Sequence, residues 1–113
     1  MKSEKDKVLK VMNELVCFFF SLDIDSPRIT INKLETHTSI YVEGYYPKPD
    51  IKKLERFSEL VSTSRQDDYD EYYWNLAGSS HYPEYILLGS LTDTVDIAHE
   101  NDILKIVVTR KFH

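Results

Sequence analysis

Apolar and polar residues alternate through the final part of the chain. In Thr94-Val95-Asp96-Ile97-Ala98, Val95 and Ile97 fall on one side. Across residues 103–112, Leu104, Ile106, Val108 and Phe112 share one side. A period of two is what a half-buried strand requires. Glu100-Asn101-Asp102, between the two segments, tolerates tight-turn backbone, so the pair predicts a hairpin. Residues 28–46 predict another. There Ile29 and Ile31 alternate with Thr30 and Asn32, and Ile40 and Val42 with Tyr41 and Glu43, with Glu35-Thr36-His37 as the turn.

The remaining apolar positions follow the helical period. Val8, Leu9, Met12, Leu15, Val16, Phe19 and Phe20 form a stripe over residues 4–20, widened by Cys17 and Phe18 near its end. Ser3 with Asp6 resembles a capping box built with the shorter acid. Asp23-Ile24-Asp25-Ser26-Pro27 stops the helix, because proline disfavours helical geometry in the residue before it. Gly44 to Pro49 ends the first hairpin, and Asp50 then caps a helix whose apolar face is Ile51, Leu54, Phe57 with or without Leu60, and Val61. Ser62-Thr63-Ser64 weakens it. A short helix is predicted over 69–76, capped by Asp67 or Asp68 and closed by Gly78, and one more starts near Pro83. Periodicity does not separate helix from buried strand over 85–91. The order is helix, hairpin, two or three helices, hairpin. It predicts an α+β fold: a two-layer sandwich with a four-stranded sheet of two hairpins, covered by three to four helices.

At 113 residues, with 42% hydrophobic and 29% charged positions, residues 1–113 read as a single globular domain with one core. No run reaches the roughly 18 apolar residues that a membrane span needs. Met1 to Lys7 mixes both charge signs and does not read as a signal peptide. The single cysteine, Cys17, makes no internal disulfide, and a reducing, cytoplasmic setting is expected. A net charge of −5 without any Lys/Arg run argues against nucleic-acid binding, which needs a positive face.

Candidate chemistry is sparse. Asp67-Asp68-Tyr69-Asp70-Glu71 gathers four carboxylates, but acids are favoured at a helix N-terminus without any catalysis. Asp23 and Asp25 lack the further oxygen ligands of a calcium site. His37, His81, His99 and His113 lie far apart, with no zinc spacing among them or with Cys17. The three glycines make neither a phosphate loop nor a dinucleotide fingerprint, and no nucleophile elbow is present. Catalytic, cofactor-binding and metal residues are therefore expected to be none. The compositional excess is aromatic: eight tyrosines, with Tyr69, Tyr72, Tyr73 and Trp74 close together and Tyr45, Tyr46, Tyr82 and Tyr85 in flanking segments. Packing over the sheet explains part of this. The candidates for an interaction surface are Tyr45, Tyr46, Tyr69, Tyr72, Tyr73 and Trp74.

The segment order, with Asn13-Glu14-Leu15-Val16 on the first helix, resembles the GHKL ATPase superfamily, notably anti-sigma-factor serine kinases and histidine-kinase ATP-binding domains. In that family Asn13-Glu14-Leu15-Val16 corresponds to the start of the N-box helix, and residues 87–97 with 103–112 resemble the closing helix and hairpin. The resemblance implies a magnesium-binding asparagine where this chain has Phe18. It also implies an adenine-reading aspartate near Gly44, a glycine where Tyr46 stands, and a glycine-rich lid over residues 78–83, where one glycine remains. Glu14 alone survives. What the resemblance then implies is a degenerate ATPase-like module that does not bind ATP, retained as a non-catalytic protein-interaction or regulatory module with another protein as partner. The alternative is a small enzyme or ligand-binder using a cleft lined by Tyr45, Tyr46, Tyr73 and Trp74. A nucleic-acid binder fits the acidic balance least.

Overall fold

The computed structural model describes residues 3–62 and 85–112. Helix α1 (Glu4–Ser21) starts at the capping box: the Asp6 N–H donates to Ser3 Oγ at 3.2 Å, and the Ser3 N–H donates to Asp6 Oδ2 at 3.3 Å. Its buried face carries Val11, Glu14, Leu15, Phe18 and Phe19. The helix ends in a Schellman motif, with Asp23 at φ 62°. Asp23 N–H donates to the Phe20 carbonyl at 3.0 Å, and Ile24 N–H to the Phe19 carbonyl at 3.2 Å. This closure folds Ile24 back onto Phe19, and both are buried.

Strands β1 (Arg28–Lys33) and β2 (His37–Tyr45) form the first hairpin, β3 (Thr94–Glu100) and β4 (Ile103–Lys111) the second. All pairings are antiparallel, in the order β1-β2-β4-β3. The two hairpins thus join through their second strands, Ile40 opposite Val108 and Val42 opposite Ile106. Asn101 (φ 51°) and Asp102 (φ 65°) are both left-handed, the backbone a two-residue type I′ hairpin turn demands, and Glu100 is already in the strand. On the inner face Thr38, Ile40, Val42, Gly44, Leu104, Ile106, Val108 and Arg110 are buried. The outer face is solvated. It carries a row of alternating charge, Arg28 opposite Glu43 opposite Lys105, as expected for an antiparallel sheet covered on one side.

Helices α2 (Ile51–Val61) and α3 (Ile86–Leu91) complete the covering layer with α1. Asp50 caps α2 by accepting from the Lys53 N–H at 3.2 Å. Only Phe57 and Val61 of its apolar face are buried; Ile51 and Leu60 are exposed. Helix α3 settles residues 86–91 as helix, with Leu88 and Leu91 in the core and the Thr92 hydroxyl bonded to the Leu88 carbonyl. The architecture is α+β: among the described residues, a four-stranded sheet under three helices. The short helix expected over 69–76 and the helix start near Pro83 lie outside the described residues.

Gly44 lies beneath the α1 closure. A Cβ there would stand 2.5 Å from Ile24 Cγ2 and 3.3 Å from Phe19 Cδ2. Ile24 is β-branched and held by the Schellman bond, so its methyl has nowhere to move. Gly44→Ala is expected to destabilise the fold by about 1–3 kcal/mol through overpacking. Adding Ile24→Ala should give a double mutant less destabilised than the sum of the two singles. Urea unfolding followed by circular dichroism measures both; strict additivity would refute the contact.

Candidate functional site

Glu14, Phe18, Gly44 and Tyr46 mark where a nucleotide crevice belongs under the GHKL resemblance, and each is engaged in packing or bonding. Glu14 points from α1 into the protein with its side chain 2% exposed, paired with Lys10 Nζ at 2.7 Å one turn earlier. Phe18, one turn further on, lies flat against Phe57, with ring centroids 3.8 Å apart and planes 10° from parallel. Tyr85 meets both rings edge-on, at 5.5 and 5.2 Å. α1, α2 and the entry to α3 each contribute one ring to this cluster.

Tyr46 is buried where the β2 chain leaves the sheet. Its hydroxyl accepts the Asp50 N–H at 2.7 Å, linking it to the first turn of α2. Its own N–H donates to the Asp102 carbonyl at 2.7 Å, fastening it to the β3–β4 turn. His99 Nε2 stands 2.6 Å from the Tyr46 carbonyl oxygen. A carbonyl only accepts, so Nε2 carries the hydrogen. Gly44 is filled against Ile24 and Phe19 and leaves no approach for a ligand.

Of the aromatic candidates, Tyr45 projects to solvent (65% exposed) and Tyr46, its neighbour, is in the core. Strand alternation separates them onto opposite faces. Tyr69, Tyr72, Tyr73 and Trp74, the acidic run 67–71, His81 and His113 lie outside the described residues. Asp23 and Asp25 are exposed in the turn after α1. His37 sits at the first hairpin with Nδ1 3.0 Å from Thr36 Oγ1, and His99 is taken up by Tyr46. Among the described residues no group of three or more His, Cys, Asp or Glu could hold a metal ion. A hollow of about 310 Å³ remains between α1 and α2, bordered by Phe18, Phe57 and Tyr85 with Ser21, Lys53 and Arg56 at its rim. Neither Tyr45 nor Tyr46 of the cleft expected from the sequence borders it among the described residues.

Cys17, half-buried, has its thiol pushed above the usual range, first by burial and then by the Glu14 carboxylate, with Lys10 opposing. The thiolate is the reactive form, so less of it is present in the folded protein than in the unfolded chain at the same pH. Iodoacetamide should alkylate Cys17 more slowly in buffer at pH 8 than in denaturant at pH 8. Equal rates would contradict this. In the same sense, Cys17 contributes stability that is intact below the ordinary thiol range and declines as pH rises through its folded value.

Sequence reading missed Arg110. It falls in phase with Leu104, Ile106 and Val108 on β4, yet is buried on the inner face. Its guanidinium grips Glu4 with both carboxylate oxygens, Nε to Oε2 at 2.9 Å and Nη2 to Oε1 at 2.8 Å, and Nη1 donates to the Leu91 carbonyl at 2.7 Å. A cation in register with three aliphatic residues is the signal that would have found it.

No known protein family, curated protein or solved structure matches this chain. No described helix is long and apolar enough to cross a membrane.

Proposed function

We propose that the chain is a non-catalytic protein-interaction or regulatory module, an ATPase-like fold whose nucleotide crevice has been filled by its own side chains. The observation that carries this is the stack of Phe18 on Phe57, at the position where GHKL chemistry needs a magnesium ligand. A phenyl ring offers no lone pair to a hard cation. The buried Glu14–Lys10 pair and the three hydrogen bonds holding Tyr46 support the same reading, since freeing either group for a ligand would leave buried polar atoms without partners. The partner is another protein. The exposed ring of Tyr45 is the described part of the aromatic surface that would meet it. The lone, poorly ionised Cys17 fits a reducing cytoplasm.

Isothermal titration of the folded chain with Mg-ATP tests this directly. No heat beyond dilution is expected up to millimolar nucleotide, and binding in the micromolar range would overturn the reading. A ligand-binding role has one observation in its favour, the aromatic hollow rimmed by Lys53 and Arg56, which suits a small aromatic anion. Arg56→Glu would abolish binding of such a ligand and leave a protein partner on the sheet side unaffected.

A further inference from the structure

The larger concavity, about 550 Å³, lies between the first half of α1 and the inner face of β1. Val8 and Leu9 wall it on the helix side, Ile31 on the strand side, and Phe112 closes one end. These side chains are incompletely covered: Leu9 is 52% exposed and Ile31 41%. Ile31 pairs with Ile40 and Ile29 with Val42, so both belong to the face that the helices bury elsewhere. The helical layer stops short of β1, and the apolar face of the sheet runs out from under it.

β1 is an edge strand, and among the described residues nothing pairs with its outer side. The direction of its free backbone groups follows from the hairpin. Leu34 N–H bonds the His37 carbonyl at 2.8 Å. By the alternation of an antiparallel ladder, Asn32, Thr30 and Arg28 then exchange bonds with β2. The N–H and C=O groups of Ile29, Ile31 and Lys33 point outward. The residues that offer backbone hydrogen bonds at the edge are therefore those whose side chains turn toward the concavity. A strand added there would send every second side chain into the groove.

Charge selects what that strand carries. Lys5 and Lys33 line the groove, and Lys33 Nζ lies 5.9 Å from the centre of the Phe112 ring. The acid beside them, Glu4, has its carboxylate gripped by Arg110. Arg28, at the start of the strand, turns to the other face, opposite Glu43. In a chain of net charge −5 this border is locally cationic. A second copy, paired through the outward groups of Ile29, Ile31 and Lys33, would bring the same cations to this border, whereas an acidic segment complements them.

We propose that the β1 edge and its groove bind an extended acidic segment of another protein, which adds a strand beside β1, its groove-facing side chains apolar in the middle and carboxylates at the ends, against Lys5 and Lys33. This rests on the reading of the chain as an interaction module and names the surface and the chemistry of the partner.

Two fluorescein-labelled ten-residue peptides test it by anisotropy with the full chain: both have threonine at every second position, and the positions between read Glu-Val-Val-Val-Glu in one and Lys-Val-Val-Val-Lys in the other. The glutamate peptide should bind at least about tenfold more tightly, with an affinity that falls as salt rises. Ile29→Pro removes one outward N–H at an edge position that tolerates proline, and should weaken binding about tenfold with the charges untouched. Lys33→Glu should erase the preference for the acidic peptide. Both substitutions alter exposed side chains, and an unchanged melting temperature shows that the fold persists. Equal affinity for the two peptides, no binding of either at millimolar protein, or indifference to both substitutions overturns the proposal. So does a concentration-dependent dimer in sedimentation that Ile29→Pro dissociates, because the groove would then belong to a second copy. If the peptides fail while Mg-ATP gives no heat, only this inference falls. If Mg-ATP binds, the underlying reading falls whatever the peptides do.

Discussion

Phe18→Ala is expected to lower the unfolding free energy by about 3–5 kcal/mol, the range for removing a large aromatic side chain from a packed core. The ring is 3% exposed and lies at the junction of three helices. It stacks on Phe57 of α2, meets Phe19 at 87°, and receives the edge of Tyr85 at the entry to α3. Deleting it removes the partner of three aromatic pairs, each worth about 0.5–1.5 kcal/mol beyond the area they bury. Neighbouring rings are too large and too constrained to collapse into the space, so the cavity term is retained. Chemical denaturation should show the midpoint falling with little change in slope, and the melting temperature should drop by roughly 10–20 °C. Phe18→Asn, which introduces the residue type that the proposed ATPase-like reading would require of a metal site, is expected to cost at least as much, because it places an amide where aromatic surfaces offer no partner. Neither variant should acquire Mg-ATP binding, since Glu14 remains paired with Lys10 and Tyr46 remains fastened by its hydrogen bonds. A loss below about 1 kcal/mol would mean that Phe18 is not the central packing element described.

The fold was legible in the sequence wherever periodicity and local chemistry agreed. Residues 28–46 and 94–112 show a two-residue period bounded by turn residues, and they are the two hairpins of the structure. Ser3 with Asp6 announced the start of α1, and Asp50 the start of α2. Less was legible where the outcome depends on tertiary geometry. Ile51 connects to Phe57 only through Leu54 in steps of three, which carries it about 120° round the helix from Phe57, and the packing leaves it outside. Residues 86–91 are too short for period to separate helix from strand. The strand order, with β4 beside β2, is a pairing between hairpins distant in sequence, which the period of either strand alone does not specify. Of the aromatic candidates, the sequence named Tyr45 and Tyr46 alike, and only the coordinates separate the exposed ring from the buried one. The packing of Phe18 on Phe57 and of Gly44 under Ile24 was likewise legible only in the coordinates. The groove along β1 was invisible, because Ile29 and Ile31 read as ordinary inward-facing strand residues. Their exposure arises from where α1 ends its coverage.

Arg110→Ala is expected to cost about 3 kcal/mol, the largest effect after the substitutions at Phe18. A buried guanidinium that makes two charge-assisted bonds to one carboxylate and one to a backbone carbonyl joins three parts of the chain distant in sequence: the first turn of α1, the last residue of α3, and β4. Removing it leaves the Leu91 carbonyl without the bond that the guanidinium supplied, a loss of about 1–3 kcal/mol for a buried acceptor. Glu4, with its side chain 47% exposed, can rehydrate, so its contribution is well below that of a fully buried ion pair. Arg110→Met separates the components. Its aliphatic chain refills much of the volume and should recover part of the loss, with the carbonyl penalty remaining. Glu4→Gln keeps a hydrogen-bond acceptor and should cost less than either. The ordering Ala, then Met, then Gln in decreasing loss, measured by urea unfolding, is the signature of a cation held for its backbone bond as well as its charge partner. Equal losses for Arg110→Met and Arg110→Ala would show that filling the space contributes nothing. Because the Arg110–Glu4 pair sets how the first turn of α1 rests against the sheet, Arg110→Ala should also loosen the helix wall of the β1 groove. Hydrogen exchange at Lys7 and Val8 should then rise more than at Leu15 and Val16, and uniform acceleration along α1 would instead point to global destabilisation alone.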